Sequence, residues 1–247
     1  MQSGFDIAII GGGASGTLAA IQCLRWAASP LRIVLFEPGG RPGRGVAYST
    51  ERPEHLLNVP SGRMSAFADR PDDFLDWLAA RPGRAGSGRE ALARDYAPRR
   101  DYAAYLADRL EAARAASVAT LEVVPQRIAT LQRQHRTWRL EWPGGQADAT
   151  RVLLAAGNAP RPLPVRGSGS LARPRLVDAW DYAGVAAIDD AADVCIVGTG
   201  LSMADAVVTL AANGHRGHIH LLSRPGLLPL AHACTHEEHG FEVDALH

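Results

Sequence analysis

Lysine is absent from this chain, and all 26 of its basic residues are arginine. That absence excludes a Schiff-base lysine, a P-loop lysine and the phosphate-binding lysine of a kinase. Cysteine is scarce: Cys23, Cys195 and Cys234 lie far apart and form no C-x-x-C pair. Neither a disulfide framework nor dithiol redox chemistry fits that spacing. Cys23, in the first helical stretch, and Cys195, in a strand-like stretch, read as small buried hydrophobes. Net charge is also missing, since 26 acids balance 26 bases. The composition therefore offers no electrostatic footprint for nucleic acid or for a membrane surface. No apolar run approaches the roughly 20 residues that span a bilayer. A strand beginning at Phe5 leaves no room for a signal peptide. The expectation is a soluble, cytoplasmic protein without nucleic-acid or membrane partners.

What is present is a repeated pattern of strand, glycine turn and helix. Residues 5–10 form a short, almost wholly apolar run, as in a strand buried on both faces. Residues 11–16, four of them glycine, interrupt it, residues 17–28 read as a helix, and "LRIVLFE" (31–37) reads as a second buried strand. The unit is βαβ, with parallel strands and a right-handed crossover. Residues 38–64 are too rich in Gly and Pro for regular structure, yet their Leu, Val and Met argue for an ordered, functional loop. "PDDFLDWLAA" opens a helix with Asp72 or Asp73 available as its cap, and "RPGRAGSGRE" reads as a mobile loop. "RRDYAAYLADRLEAARAA" is an amphipathic helix with Tyr102, Tyr105, Leu106 and Leu110 near one face. From Thr120 to Gly157 four short alternating segments predict an antiparallel meander. A Pro- and Gly-rich connector follows, and Asp193 starts a second βαβ unit that closes with "HIHLLSR" (218–224).

In the first turn, Gly11-x-Gly13-x-x-Gly16 follows a strand and opens a helix, and Glu37 ends the next strand. Gly11 permits the tight turn, Gly13 lets the backbone approach a pyrophosphate, and Gly16 allows close helix–strand packing. The free N–H groups and dipole of the helix start favour an anion, and Glu37 would accept hydrogen bonds from a ribose. These residues predict a dinucleotide site. A plain NAD domain would pass to a third parallel strand after a short crossover. The long loop, helical insertion and meander seen here are instead the order of FAD domains of the glutathione-reductase type.

The segments "GGGASGTLAA", "GRGVAYST", "HLLNVPSGRMSAF", "YAPRRDYAAYL" and "VGTGLSMADAV…LLSRPGLLP" together resemble the FAD/NAD(P)-binding family of bacterial flavoproteins. That family is related to the flavin N-hydroxylating monooxygenases. The resemblance covers nearly the whole chain. It implies that Gly11, Gly13, Ala14, Ser15, Gly16 and Glu37 hold the FAD pyrophosphate and adenosine ribose, with Arg44 facing the pyrophosphate. It also implies that Asn58, Val59 and Met64 line the flavin end, that Ile128 offers its backbone to adenine, and that Gly157 lets the chain pass close to the cofactor. For Asn58 a turn-capping amide, and for Met64 an ordinary core filler, are equally good readings of the residues alone.

The second turn keeps Gly198 and Gly200, but Met203 stands where a third glycine is expected, which predicts looser helix–strand packing. Ser202 opens the helix beside them. The following strand ends in Ser223-Arg224 with no acid, and an arginine there can pair with the 2′-phosphate of NADPH. The alternative for Arg224 is a solvated strand-end residue.

The predicted architecture is α/β. Its first part is a Rossmann-like FAD-binding domain over 1–165, with a parallel sheet, a helical insertion at about 68–116 and an antiparallel β-meander at about 120–157. A linker at 166–192 leads to a partial second Rossmann-like nucleotide-binding domain at 193–247. Relatives of the family run longer, and one βαβ unit does not bury both faces of its sheet, so a second polypeptide or a second copy is expected to complete it. The tail residues His232, Cys234, His236, Glu237, Glu238 and His239 lack the H-E-x-x-H pattern, and no metal is assigned. Two functions stay open. One is an FAD-dependent oxidoreductase using NADPH, with a monooxygenase as its finer form and a small-molecule substrate. The other is a non-catalytic nucleotide-binding subunit or a truncated flavoprotein.

Overall fold

The structure is a computed structural model, and it describes residues 4–83, 88–158, 163, 166–171 and 175–230. The chain divides into two compact units, Met1–Ala187 and Ile188–His247.

The first unit begins with β1 (Gly4–Ile10), α1 (Ala14–Arg25) and β2 (Arg32–Phe36). After a long connection that includes α2 (Gly45–Tyr48) and a 3-10 turn at Ser61–Arg63 come α3 (Asp73–Ala79), α4 (Arg89–Arg94) and α5 (Arg99–Ala116). Four strands follow: β3 (Thr120–Val124), β4 (Thr130–Gln134), β5 (Thr137–Trp142) and β6 (Gly145–Leu154). A 3-10 turn at Ser168–Ser170 and α6 (Tyr182–Ala186) complete the unit. All six strands form one sheet in the order β3-β2-β1-β6-β5-β4. β1 pairs parallel to both β2 and β6, and β2 pairs parallel to β3, whereas β4, β5 and β6 pair antiparallel. β6 is the joint between the two halves. Its first residues, from Gly145, ladder against β5, and its later ones, as far as Leu154, run beside β1.

Burial explains why these segments become strands. Ala8 and Ile9 at the centre of β1 are wholly buried, as an apolar run covered on both sheet faces should be. On one face, Ala20, Ile21 and Leu24 of α1 pack with Ile9, Ile33 and Leu35 and with Leu110 and Ala113 of α5. On the other, the meander supplies Leu140, Ala147 and Ala149 against Phe5, Ala8, Val34 and Phe36. A third cluster is aromatic and joins α3 to α5: Phe74, Trp77, Tyr102 and Tyr105 pack around Leu57 and Leu106.

Several expectations need correction. β3 is not part of the meander. It is the third parallel strand, at the far edge of the sheet, reached only after the helical insertion, and the meander is β4 to β6. The alternating pattern of Leu121 and Val123 suits an edge strand of either sense, so periodicity does not reveal its partner. α1 starts at Ala14 and stops at Arg25, which leaves Trp26 outside the helix and exposed. Asp72 is the N-cap residue of α3, as expected, and Asp73 lies in its first turn, but no side-chain cap hydrogen bond forms. Asp73 is buried instead, and accepts hydrogen bonds from Tyr105 Oη (2.7 Å) and Arg109 Nε (2.6 Å). A carboxylate taken out of water needs such charge-assisted and phenolic donors, and these come from α5. The segment read as a mobile loop ends within α4, and residues 84–87 lie outside the described residues. The first unit also extends past residue 165 to Ala187. Its last helix, α6, takes a side-chain cap from Asp181, whose Oδ1 accepts from Gly184 N–H at 3.1 Å. Tyr182 packs on His55 with ring centroids 5.2 Å apart and donates to the Val46 carbonyl at 3.3 Å.

The second unit holds β7 (Val194–Val197), α7 (Leu201–Ala212) and β8 (Ile219–Leu222), with the two strands parallel. Met203, Ala206 and Leu210 are its buried apolar side chains. Cys195 is exposed rather than buried. Among the described residues this sheet has two strands, and Cys195 and Val197, on one face of β7, are exposed. Among the described residues, no helix is long and apolar enough to cross a membrane.

Candidate nucleotide-binding turns

The first turn is shaped by what cannot fit there. Gly11 has φ +101°, in the left-handed region, and a Cβ on it would be driven into the Ala155 carbonyl. Its N–H donates to the Phe36 carbonyl at 2.9 Å, which ties the end of β1 to the end of β2. A Cβ on Gly16 would be driven into the Gly11 carbonyl, so α1 crosses the strand end at backbone distance. Gly13 is the N-cap, in an extended conformation, and no side chain caps the helix. The first N–H groups of an α-helix have no intrahelical acceptor. At Ala14, Ser15 and Gly16 they form, with the helix dipole, an anion site of the kind a diphosphate fills.

Glu37 is already oriented. Its Oε2 accepts from the Gly12 N–H at 2.8 Å and its Oε1 from the Gly39 N–H at 3.1 Å. An ionised carboxylate has about four acceptor positions, so two remain for ribose hydroxyls. Gly12, which the glycine spacing passes over, is needed here: a Cβ on it would lie 2.6 Å from Glu37 Cβ. The run of three glycines was the available signal.

The loop after β2 is latched onto this turn. Thr17, wholly buried, donates its hydroxyl to the Gly12 carbonyl (2.9 Å) and accepts from the Gly43 N–H (2.7 Å). Gly43 has φ +90°, and a Cβ there would meet Leu106 Cβ of α5 at 3.1 Å. The latch brings Gly45 against Gly13 and sets Arg44 one residue away. The Arg44 side chain itself turns to Glu51, with Nη1 to Oε1 at 2.5 Å, while Arg100 donates to the Glu51 carbonyl oxygen at 2.8 Å. Thr17 was not marked by the glycine pattern, because nothing in one sequence distinguishes a latch from an ordinary helical threonine.

The remaining first-site residues are spread more widely. Asn58 is exposed and Val59 half-buried. Met64, half-buried, packs against the same aromatic cluster as Ala14. Ile128 packs on the meander side of the sheet, with Phe36 among its cluster partners. Gly157 has φ +72°, and among the described residues, chain neighbours aside, no atom lies within 4 Å of where its Cβ would be; it stands two residues beyond the Ala155 that touches Gly11. The structure therefore gathers Gly11, Gly13, Ala14, Gly16, Glu37 and the backbone before Arg44.

The second turn repeats the first in local form. Gly198 has φ +105°, its N–H donates to the Leu222 carbonyl at 2.8 Å, and Gly200 caps α7 in an extended conformation without a side-chain cap. The packing differs. Among the described residues, chain neighbours aside, no atom lies within 4 Å of a Cβ on Gly198 or Gly200, and the residue in the position of Gly16 is the buried Met203. Ser202 is half-buried at the start of α7, and Arg224 is exposed two residues past β8. Among the described residues no group of three or more His, Cys, Asp or Glu could hold a metal ion, and His232 to His239 lie outside them.

Comparison with known proteins agrees with this geometry. Residues 8–159, more than half of the chain, match the model of a family described as FAD-NAD(P)-binding. No curated protein sequence matches the chain. Among solved structures it is similar to the bacillithiol disulfide reductase Bdr of Staphylococcus aureus, at 18% identity and TM-score 0.58, covering 93% of this chain and 59% of that one. It is similar to an ornithine N-hydroxylase of Kutzneria sp. 744, in a structure with FAD and NADP, at 17% identity and TM-score 0.63, covering 90% and 54%. It is also similar to a flavin monooxygenase of Stenotrophomonas maltophilia, at 21% identity and TM-score 0.53, covering 89% and 57%. The chain thus spans a little over half the length of these proteins, and at such identities the likeness establishes the fold alone. By its matched family model and its Rossmann-like fold, the chain belongs to the FAD-NAD(P)-binding family.

Proposed function

We propose that this chain is an FAD-dependent oxidoreductase in which NADPH reduces the flavin. The observation that carries the proposal is the contrast between two turns of the same local form. One ends its strand on a carboxylate folded against a glycine, and the other on Ser223 and Arg224. A carboxylate accepts from ribose hydroxyls, and an arginine pairs with a 2′-phosphate. FAD, when bound, supplies a two-electron redox centre able to accept a hydride from the nicotinamide. The chain's own part is to hold and orient. The N–H groups of Ala14, Ser15 and Gly16 take the diphosphate, Glu37 the ribose, and Arg44 adds a positive charge beside them. Asn58, Val59 and Met64 line the flavin end, the Ile128 backbone meets adenine, and Gly157 leaves room for the cofactor. Gly198, Gly200 and Ser202 offer a second helix start to the nicotinamide nucleotide, with Arg224 on its 2′-phosphate.

Within this class we favour a monooxygenase acting on a small molecule in the cytoplasm. Likeness of fold to the ornithine N-hydroxylase and to the flavin monooxygenase supports that choice, and by analogy alone. A second reading, a nucleotide-binding subunit that works with another polypeptide or a second copy, is supported by the exposed Val197, Leu221 and Leu222 of the two-stranded sheet.

Purified protein decides between them. A yellow protein whose flavin absorbance bleaches on anaerobic addition of NADPH supports the enzyme. A colourless protein that copurifies with a second polypeptide supports the subunit.

A further inference from the structure

The two turns close with the same hydrogen bond, from Gly11 N–H to Phe36 O and from Gly198 N–H to Leu222 O. Position 199 therefore stands to position 223 as Gly12 stands to Glu37. In the first turn the acid folds back onto the Gly12 N–H only because residue 12 has no side chain: a Cβ there would lie 2.6 Å from Glu37 Cβ and 2.9 Å from its Cγ. In the second turn the corresponding residue is Thr199, whose side chain is already committed. Its hydroxyl donates to the Leu227 carbonyl at 2.6 Å, while Ser223 Oγ accepts from the Gly226 N–H at 3.1 Å. Both bonds hold the segment from Ser223 to Leu227, and that segment carries Arg224, exposed to solvent.

We propose that Thr199 and Ser223 are a coupled specificity pair, which keeps a carboxylate out of the ribose position and holds the Arg224 segment for a nicotinamide nucleotide bearing a 2′-phosphate. The inference rests on the nucleotide reading of the second turn given above. It adds that the preference is set by two residues together. An acid at 223 cannot reach the residue-199 N–H while a branched side chain covers it, just as Glu37 could not if residue 12 had a Cβ. Thr199 is a positioning residue, since it acts on the nucleotide through the segment it anchors.

The test measures dissociation constants of NADPH and NADH for the full chain and its variants, with flavin content and circular dichroism checking that each folds. Ser223→Glu alone is expected to weaken both nucleotides. Thr199→Gly with Ser223→Glu is expected to shift the NADPH-to-NADH preference toward NADH by about tenfold or more. Thr199→Val, which keeps the shape and removes the donor, is expected to weaken NADPH roughly three- to tenfold and to leave NADH unchanged. Thr199→Ser is expected to restore NADPH binding. The pair is refuted if Ser223→Glu alone shifts the preference as far as the double variant, or if Thr199→Val weakens both nucleotides equally. Should the unaltered protein bind NADH as tightly as NADPH, or neither, the nucleotide reading itself fails, and the pair's role falls with it.

Discussion

A Cβ built on Gly45 would lie 2.8 Å from the Cα of Gly13, so the start of α1 and the start of α2 meet backbone against backbone. Gly45 has φ +49°, and a Cβ on Gly13 would sit 3.4 Å from the Gly45 Cα. The missing side chain at position 13 therefore does more than leave space for an anion. It admits the loop that carries Arg44.

Gly13→Val would push its branched carbons into Gly45 and displace that loop, so the purified variant should carry no flavin. Gly45→Ala places a Cβ at positive φ against Gly13, and should weaken FAD binding by about tenfold while costing roughly 1–2 kcal/mol of stability. Flavin absorbance per polypeptide and urea unfolding report the two effects. Stoichiometric flavin in Gly13→Val would count against the assignment of this turn.

Thr17 offers a test of the latch. Replacement by Val keeps the volume but removes the hydroxyl that bridges the Gly43 N–H and the Gly12 carbonyl, while their direct hydrogen bond of 2.9 Å remains. The loss should be about 1 kcal/mol in urea unfolding, with faster FAD dissociation, because the loop then keeps its direct backbone bond to the turn but loses the buried hydroxyl bridge. Thr17→Ser retains the hydroxyl and should recover most of the FAD affinity.

Arg44 and Glu51 predict a change of opposite sign. The hydrogen bond from Arg44 holds the Glu51 carboxyl below the usual carboxylate range, with the charges of Arg44, Arg41 and Arg100 adding to it and desolvation opposing it. Arg44 is thus paired with an internal anion. Glu51→Gln should release it and tighten FAD binding roughly two- to fivefold at low salt, the gain shrinking as salt screens the charges. Weaker binding in this variant would show that Glu51 orients Arg44 instead.

Alkaline pH should strain the helical insertion. Burial raises the phenol pKa of Tyr48, Tyr102 and Tyr105, most of all at Tyr102. A group whose folded pKa lies above its unfolded value stabilises the fold fully below the unfolded value, about 10 for tyrosine, and loses that contribution as the pH rises toward the folded one. Stability should therefore hold to about pH 10 and fall above it. Tyrosinate absorbance from these three rings should appear together with unfolding. Their ionisation near pH 10 in the folded protein would contradict the packing around Phe74.

The glycine spacing, the apolar runs and the acid at Glu37 were enough to read two βαβ units and a dinucleotide turn, because each of those features answers a local demand. Positive φ at Gly11 and Gly198, the period of an apolar strand and the start of a helix involve residues close in sequence. They were not enough to read strand partners: β3 looked like a meander strand and proved to be the third parallel strand. Asp73 likewise had the position of a cap and became the buried partner of Tyr105 and Arg109, over 30 residues away.

What the sequence determined alone was therefore the kind of turn and the residues able to make it. Only the tertiary structure decided why Gly12 must lack a side chain, which hydroxyl ties the arginine loop to the turn, and that Arg44 rests on Glu51. Each of these is a contact between segments separated along the chain, and its energy exists only once packing has brought the two sides together.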